Sequence, residues 1–214
     1  MEQTSIFRVA GGRVRLCRRS SSRRVILFFA GRDGCGPDAR DNDGCRFASR
    51  HGLNAALIQP FRPRWYQARL AQTLPLALRR VARRFDHVTC AGEGMGAYGA
   101  LFAAQHLRVD HVIAVRPVAT LNGTHAPATE AERADFDELG ADLEPLLTHR
   151  AGRYTVFAEP GAGERQADRL YLPSDRTERL GTDRLTGEGP FGLPEDLLLD
   201  LLGEEEAPRQ PAYA

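Results

Sequence analysis

The chain has 214 residues, 42 % of them apolar, and its 29 cations, every one an arginine, stand against 28 acids for a net charge of +1. That length can bury a sizeable core in one domain without disulfide staples. Apolar runs such as residues 25–30 are too short to span a bilayer, and no apolar leader follows Met1-Glu2-Gln3-Thr4, so a cytoplasmic protein without membrane contact is expected. Charge is unevenly placed: residues 1–90 carry 18 arginines against 6 acids, a net of +12, and residues 91–214 carry 11 against 22, a net of −11. The two halves are expected to fold together and pair, with nucleic acid not the expected partner. Cys17, Cys35, Cys45 and Cys90 form no C-x-x-C pair and have no histidine at zinc-finger spacing, so reduced thiols are expected, with no metal and no cofactor.

Phe7 and Val9, then Val14 and Leu16, alternate with polar neighbours about Gly11-Gly12, which predicts a hairpin with a wet face bearing Arg13 and Arg15. After Ser20-Ser21-Ser22, residues 25–29 are apolar without interruption, as a strand covered on both faces must be. From there strand and helix patterns alternate. Strands are predicted over 53–59, 86–91, 110–115 and 154–158, and helices over 69–85, 97–107, 129–147 and 193–202. In the helix over 69–85, Leu74, Leu78, Val81, Ala82 and Phe85 form one stripe, and Arg79, Arg80, Arg83 and Arg84 form a face read as solvated, since no aromatic residues interleave with it. Gly203 is the expected cap of the last helix. Residues 204–214, with Glu204-Glu205-Glu206, are an expected disordered tail behind a single domain over 1–203. The alternation predicts an α/β fold with a mostly parallel sheet and an antiparallel hairpin on one edge, whose ligands would sit at the carboxyl ends of the strands.

The strand ending at Ala91 runs into Gly92-Glu93-Gly94-Met95-Gly96-Ala97-Tyr98-Gly99-Ala100-Leu101 and a helix. Glycines at 92 and 96 around a small residue suit a sharp strand-to-helix turn. This decapeptide, with the order of elements over about 23–203, resembles the α/β-hydrolase superfamily, and within it esterases whose elbow serine precedes Met-Gly. The resemblance implies a three-layer α/β-hydrolase-like sandwich. A dinucleotide fingerprint fits less well, because the turn follows several strands and no acid ends the next one.

Carried over residue by residue, the resemblance puts Gly94 where the nucleophilic serine of G-x-S-x-G stands, and Glu159, after the strand over 154–158, at the acid position. Glu188, flanked by glycines in Leu185-Thr186-Gly187-Glu188-Gly189-Pro190, falls where a Gly-His-Gly would carry the base. Gly31 and Arg32 lie in the loop that supplies one oxyanion-hole amide, and the N–H of Met95 would supply the other. Trp65 and Tyr66 lie on the functional edge, where they line a pocket or pack the loop. His51, His87, His106, His111, His125 and His149 all precede the acid position. A carboxylate at 188 replaces histidine as a base only if burial raises its pKa strongly. Cys90 is read as a core thiol, and His87 and His111, each next to an aspartate, as polar residues at strand mouths.

Three functions follow as expectations. The first is a non-catalytic homologue, a pseudoenzyme with a degenerate catalytic triad, that binds a small acyl or anionic ligand or a protein partner. The second is a serine esterase, thioesterase or deacylase whose nucleophile has been engineered from Ser to Gly. The third is an arginine-rich binder of an acidic partner.

Overall fold

The amino-terminal alternation pairs as a hairpin, β1 (Gln3–Val9) with β2 (Gly12–Arg18), closed at Val9↔Gly12. Its arginine face is wet only in part: Arg13 Nε donates to Gln59 Oε1 at 2.7 Å, and Arg15 Nη2 lies 3.5 Å from Cys45 Sγ. The structure, a computed structural model, describes residues 3–36, 43–140, 142–143, 151–185 and 187–203. Beyond the hairpin come β3 (Arg24–Phe29), α1 (Asp43–Arg50), β4 (Ala55–Pro60), α2 (Ala68–Ala82), β5 (His87–Glu93), α3 (Met95–His106) and β6 (His111–Val115). The chain continues through α4 (Glu130–Leu139), β7 (Arg153–Ala158), α5 (Ala162–Asp168), β8 (Thr177–Gly181) and α6 (Glu195–Leu202).

All eight strands join one sheet in the order β1-β2-β4-β3-β5-β6-β7-β8, parallel from β4 to β8 and antiparallel at the hairpin. Successive residues of β3 show why its run is continuously apolar. Val25, Leu27 and Phe29 join the core under α2 and α3, whereas Ile26, Phe28 and Ala30 join the core under α1 and α6. A strand with helices on both faces has no wet side on which to place polar residues. Nine of the twelve residues of α3 are buried, so this helix lies inside the molecule and needs its many small side chains to approach the sheet.

Three expectations change in extent. The helix predicted over 129–147 starts in a capping box, Thr129 with Glu132, and stops at Leu139 because Gly140 turns left-handed at φ 66°. Residues 141 and 144–147 of that prediction lie outside the described residues. The strand predicted over 86–91 extends to Glu93, and the next helix begins at Met95, not at residue 97. Gly203 caps α6 at φ 66°, as the sequence predicts, while the expected tail over 204–214 lies outside the described residues.

Candidate functional site

The site is built where β5 turns into α3. Gly94 holds φ 52° and ψ −115°, a conformation costly for any residue with a Cβ. The turn is tied down by Gly94 N–H donating to Val115 O (3.0 Å) and Tyr98 N–H donating to Gly94 O (3.1 Å). A Cβ at residue 92 would fall 2.3 Å from the backbone of Gly96, and one at residue 96 would fall 2.3 Å from Phe29 O. Backbone packing therefore dictates both flanking glycines. At Gly94 a Cβ would meet nothing within 4 Å, so the apex has room for a side chain and carries none.

Above the apex lies a cleft of about 550 Å³ at the carboxyl ends of the strands. Gly31, Arg32, Trp65 and Met95 line it together with Gly94, so four of the five predicted ligand-binding residues meet there. The fifth, Tyr66, does not. It is 1 % exposed, and its hydroxyl donates to Ala30 O at 2.8 Å, because its ring fills the core beside Phe29 rather than the loop above it. The first-turn N–H of Met95 has no hydrogen-bond acceptor among the described residues. It points out of a helix N-terminus, where a partial positive charge gathers.

Two arginines organise the charge. Arg32 donates to Asp135 of α4 and to Ala131 O (3.4 Å), and Trp65 Nε1 donates to the same Asp135 at 2.8 Å. Asp135 is only 4 % exposed, so α4 is pinned over the cleft by a buried carboxylate. Arg116, at φ 43° directly after β6, donates from Nη1 to Glu93 and from Nε to Glu159 Oε1 at 3.1 Å. Neither Arg116 nor Asp135 stands out in the sequence. The first could have been sought as the residue that ends a central strand. The second has no such signal, since its role depends on where α4 lands.

The predicted triad positions are only partly brought together. Glu159 reaches the elbow through Arg116, which bridges it to Glu93. Glu188 is exposed, and its loop reaches the cleft through Phe191 and Gly192 instead. Among the described residues no histidine lines the cleft. His51 pairs with Glu195 (2.9 Å), His125 lies 3.6 Å from Asp142, His106 ends α3, and His87 and His111 sit at the amino edge; His149 lies outside the described residues. The thiols are no substitute nucleophiles: burial pushes Cys35 up to about 11, and Cys90, fully buried, higher still. Among the described residues no group of three or more His, Cys, Asp or Glu could hold a metal ion.

This strand order, with a glycine-flanked elbow after β5, is the α/β-hydrolase fold. Solved structures with the same fold bear this out. The chain is similar to carboxyl esterase 2 of the mycorrhizal fungus Tuber melanosporum (TM-score 0.63, 13 % identity, 95 % of this chain and 84 % of that one). It is also similar to a lipase/esterase of Lactobacillus plantarum (TM-score 0.58, 13 % identity, 95 % and 98 %). A third is the capsule O-acetyltransferase of Neisseria meningitidis serogroup A, an H228A mutant in complex with CoA (TM-score 0.60, 9 % identity, 93 % and 94 %). No family model and no curated protein matches the sequence.

Proposed function

We propose that the protein is a non-hydrolytic member of this fold that holds a small neutral acyl group in the elbow cleft. The observation that carries the reading is Gly94: the strained turn, the room for a side chain and the Met95 N–H without an acceptor among the described residues are present, and no side chain stands at the apex. Acyl hydrolysis in this fold needs a hydroxyl or thiol aligned with a base; the hydroxyl in the described lining, Thr129, accepts the Glu132 N–H as the cap of α4, and no histidine lines the cleft.

Charge narrows the ligand class from acyl or anionic to acyl. Arg32 is neutralised by Asp135, Arg116 by Glu93 and Glu159, and Asp43 by Arg46, while Asp33 and Glu132 add further negative charge along the cleft. A carboxylate or phosphate would meet that field unfavourably. A carbonyl oxygen would gain the Met95 N–H without carrying a charge into it. The names of the solved neighbours, esterases and an O-acetyltransferase, fit a fold that receives acyl groups. Four cysteines outside any disulfide among the described residues fit the reducing cytoplasm as its compartment.

Trp65 is the sole tryptophan of the chain and lines the cleft, so its fluorescence reports occupancy. Titration with ethyl butyrate is expected to change that fluorescence saturably, with the ester recovered intact. A fluorescence unchanged by the ester but saturably changed by butyrate would reverse the ligand class.

A second reading, an esterase with its nucleophile changed from Ser to Gly, draws on the open space at Gly94. It requires that Gly94→Ser become labelled by a fluorophosphonate probe, and a folded, unlabelled variant dismisses it.

A further inference from the structure

On the opposite edge of the sheet, at the amino ends of β5 and β6, a groove of about 640 Å³ opens between the C-terminal ends of α2 and α3. Arg79 reaches it from α2, Arg83 from the C-cap of α2 and Arg108 from just beyond the C-cap of α3, with His87 and His106 beside them. Two carboxylates also line it, and both are already engaged. Asp86 is held by both arms of Arg23, at 2.5 and 2.8 Å, and Asp110 accepts the N–H of Val88 at 2.8 Å.

Among the described residues neither Arg83 nor Arg108 has a carboxylate within ion-pair distance, although both are exposed. A cation at each helix C-terminus is favoured by the helix dipole, and Arg79 serves that role by donating from Nε to His106 O at 3.1 Å. The dipole does not explain two further arginines without counter-ions, from different helices, on the same groove. Arg79 and Arg83 also repel each other at i,i+4 spacing, a cost the fold has no need to bear.

We propose that this groove is a second binding site, for the phosphate group of a small phosphorylated molecule. A guanidinium presents paired donors that match phosphate oxygens, and a tetrahedral dianion has enough acceptors for three arginines at once. Of the apolar residues lining the groove, Phe85, Val88 and Leu107 are buried and Ala82 offers only a methyl group, so there is no large exposed apolar anchor for a protein partner. The rest of the ligand is therefore polar, as in a sugar phosphate. The sequence suggests only a solvated arginine face on α2; Arg108, which makes it a site, arrives from another helix.

Calorimetric titration of the intact chain with inorganic phosphate and with ribose 5-phosphate, at low ionic strength, tests the site. Saturable one-to-one binding is expected, weakened at least about tenfold by Arg83→Gln or by Arg108→Gln, as loss of a charge-assisted contact requires. Arg69→Gln, an exposed change at the other end of α2, should leave it unaltered, and circular dichroism should show every variant folded. Tighter binding of ribose 5-phosphate identifies an organic phosphate as the ligand, and equal affinity identifies the free anion; either upholds the site. No saturable binding of either probe overturns it, as does binding that survives the Arg83→Gln/Arg108→Gln double variant. Binding of a single-stranded oligonucleotide in proportion to its length, with neither small probe bound, overturns it in favour of a nucleic-acid surface.

Discussion

Glycines 92, 94 and 96 look alike in sequence and do different work. At 92 and 96 a single methyl would enter backbone 2.3 Å away, so Gly92→Ala or Gly96→Ala is expected to cost about 3 kcal/mol or more, or to prevent folding. Gly94→Ala meets no atom and bears only the backbone strain of φ 52°, roughly 1–2 kcal/mol. Urea unfolding of the three variants separates the two effects. His111 offers a second test. Burial, with Arg153 beside it, lowers its pKa from 6.5 to about 4, while Nε2 lies 2.9 Å from Thr155 Oγ1. The folded state thus holds it neutral, and the unfolded state takes up the proton first. Its contribution is whole above about pH 6.5 and declines as pH falls towards 4, by roughly 3 kcal/mol in total. His111→Gln should flatten the stability profile across that window, measured by urea midpoints at each pH.

Among the elements, α4 bears most directly on the cleft, because Asp135 joins it to Arg32 of the oxyanion-type loop and to Trp65. Asp135→Ala would leave the Trp65 indole N–H without its partner and Arg32 without its counter-ion. Since Arg32 is 42 % exposed, solvent screens part of that loss, and about 2 kcal/mol is expected. The fluorescence of Trp65 should shift to the red as the helix loosens, and an unshifted spectrum would show that α4 is held by other contacts. Elements with a continuous apolar run or a long apolar stripe were legible in the sequence: β3, α2, β5, α3 and β6 lie close to their predicted spans. Those without were not. The edge strand β8 has no buried residue and α5 buries only Gln166 and Ala167, while α1, though amphipathic, is a helix of only eight residues, too short for its stripe to stand out. The elbow was legible because its glycines answer to local backbone sterics. Arg116 and Asp135 were not, because an ion pair between distant elements leaves no local trace.

For the whole molecule, the split between a basic and an acidic half resolves into particular pairings. Arg32 with Asp135, Arg64 with Glu138 and Arg50 with Glu195 join the two halves. The carboxylates at the elbow, Glu93 and Glu159, are however held by Arg116 from the acidic half, and not by an arginine of the basic half. Excess arginine collects instead at the amino edge of the sheet, away from the cleft. No described helix is long and apolar enough to cross a membrane. The α/β-hydrolase fold here carries a glycine at the apex of its elbow, and the most direct test of the proposed non-hydrolytic role is the hydrolysis of p-nitrophenyl acetate and butyrate. The rate is expected to equal that of buffer and to be unchanged by Gly94→Ala. Turnover well above buffer that is abolished by substitution at the elbow would contradict the account.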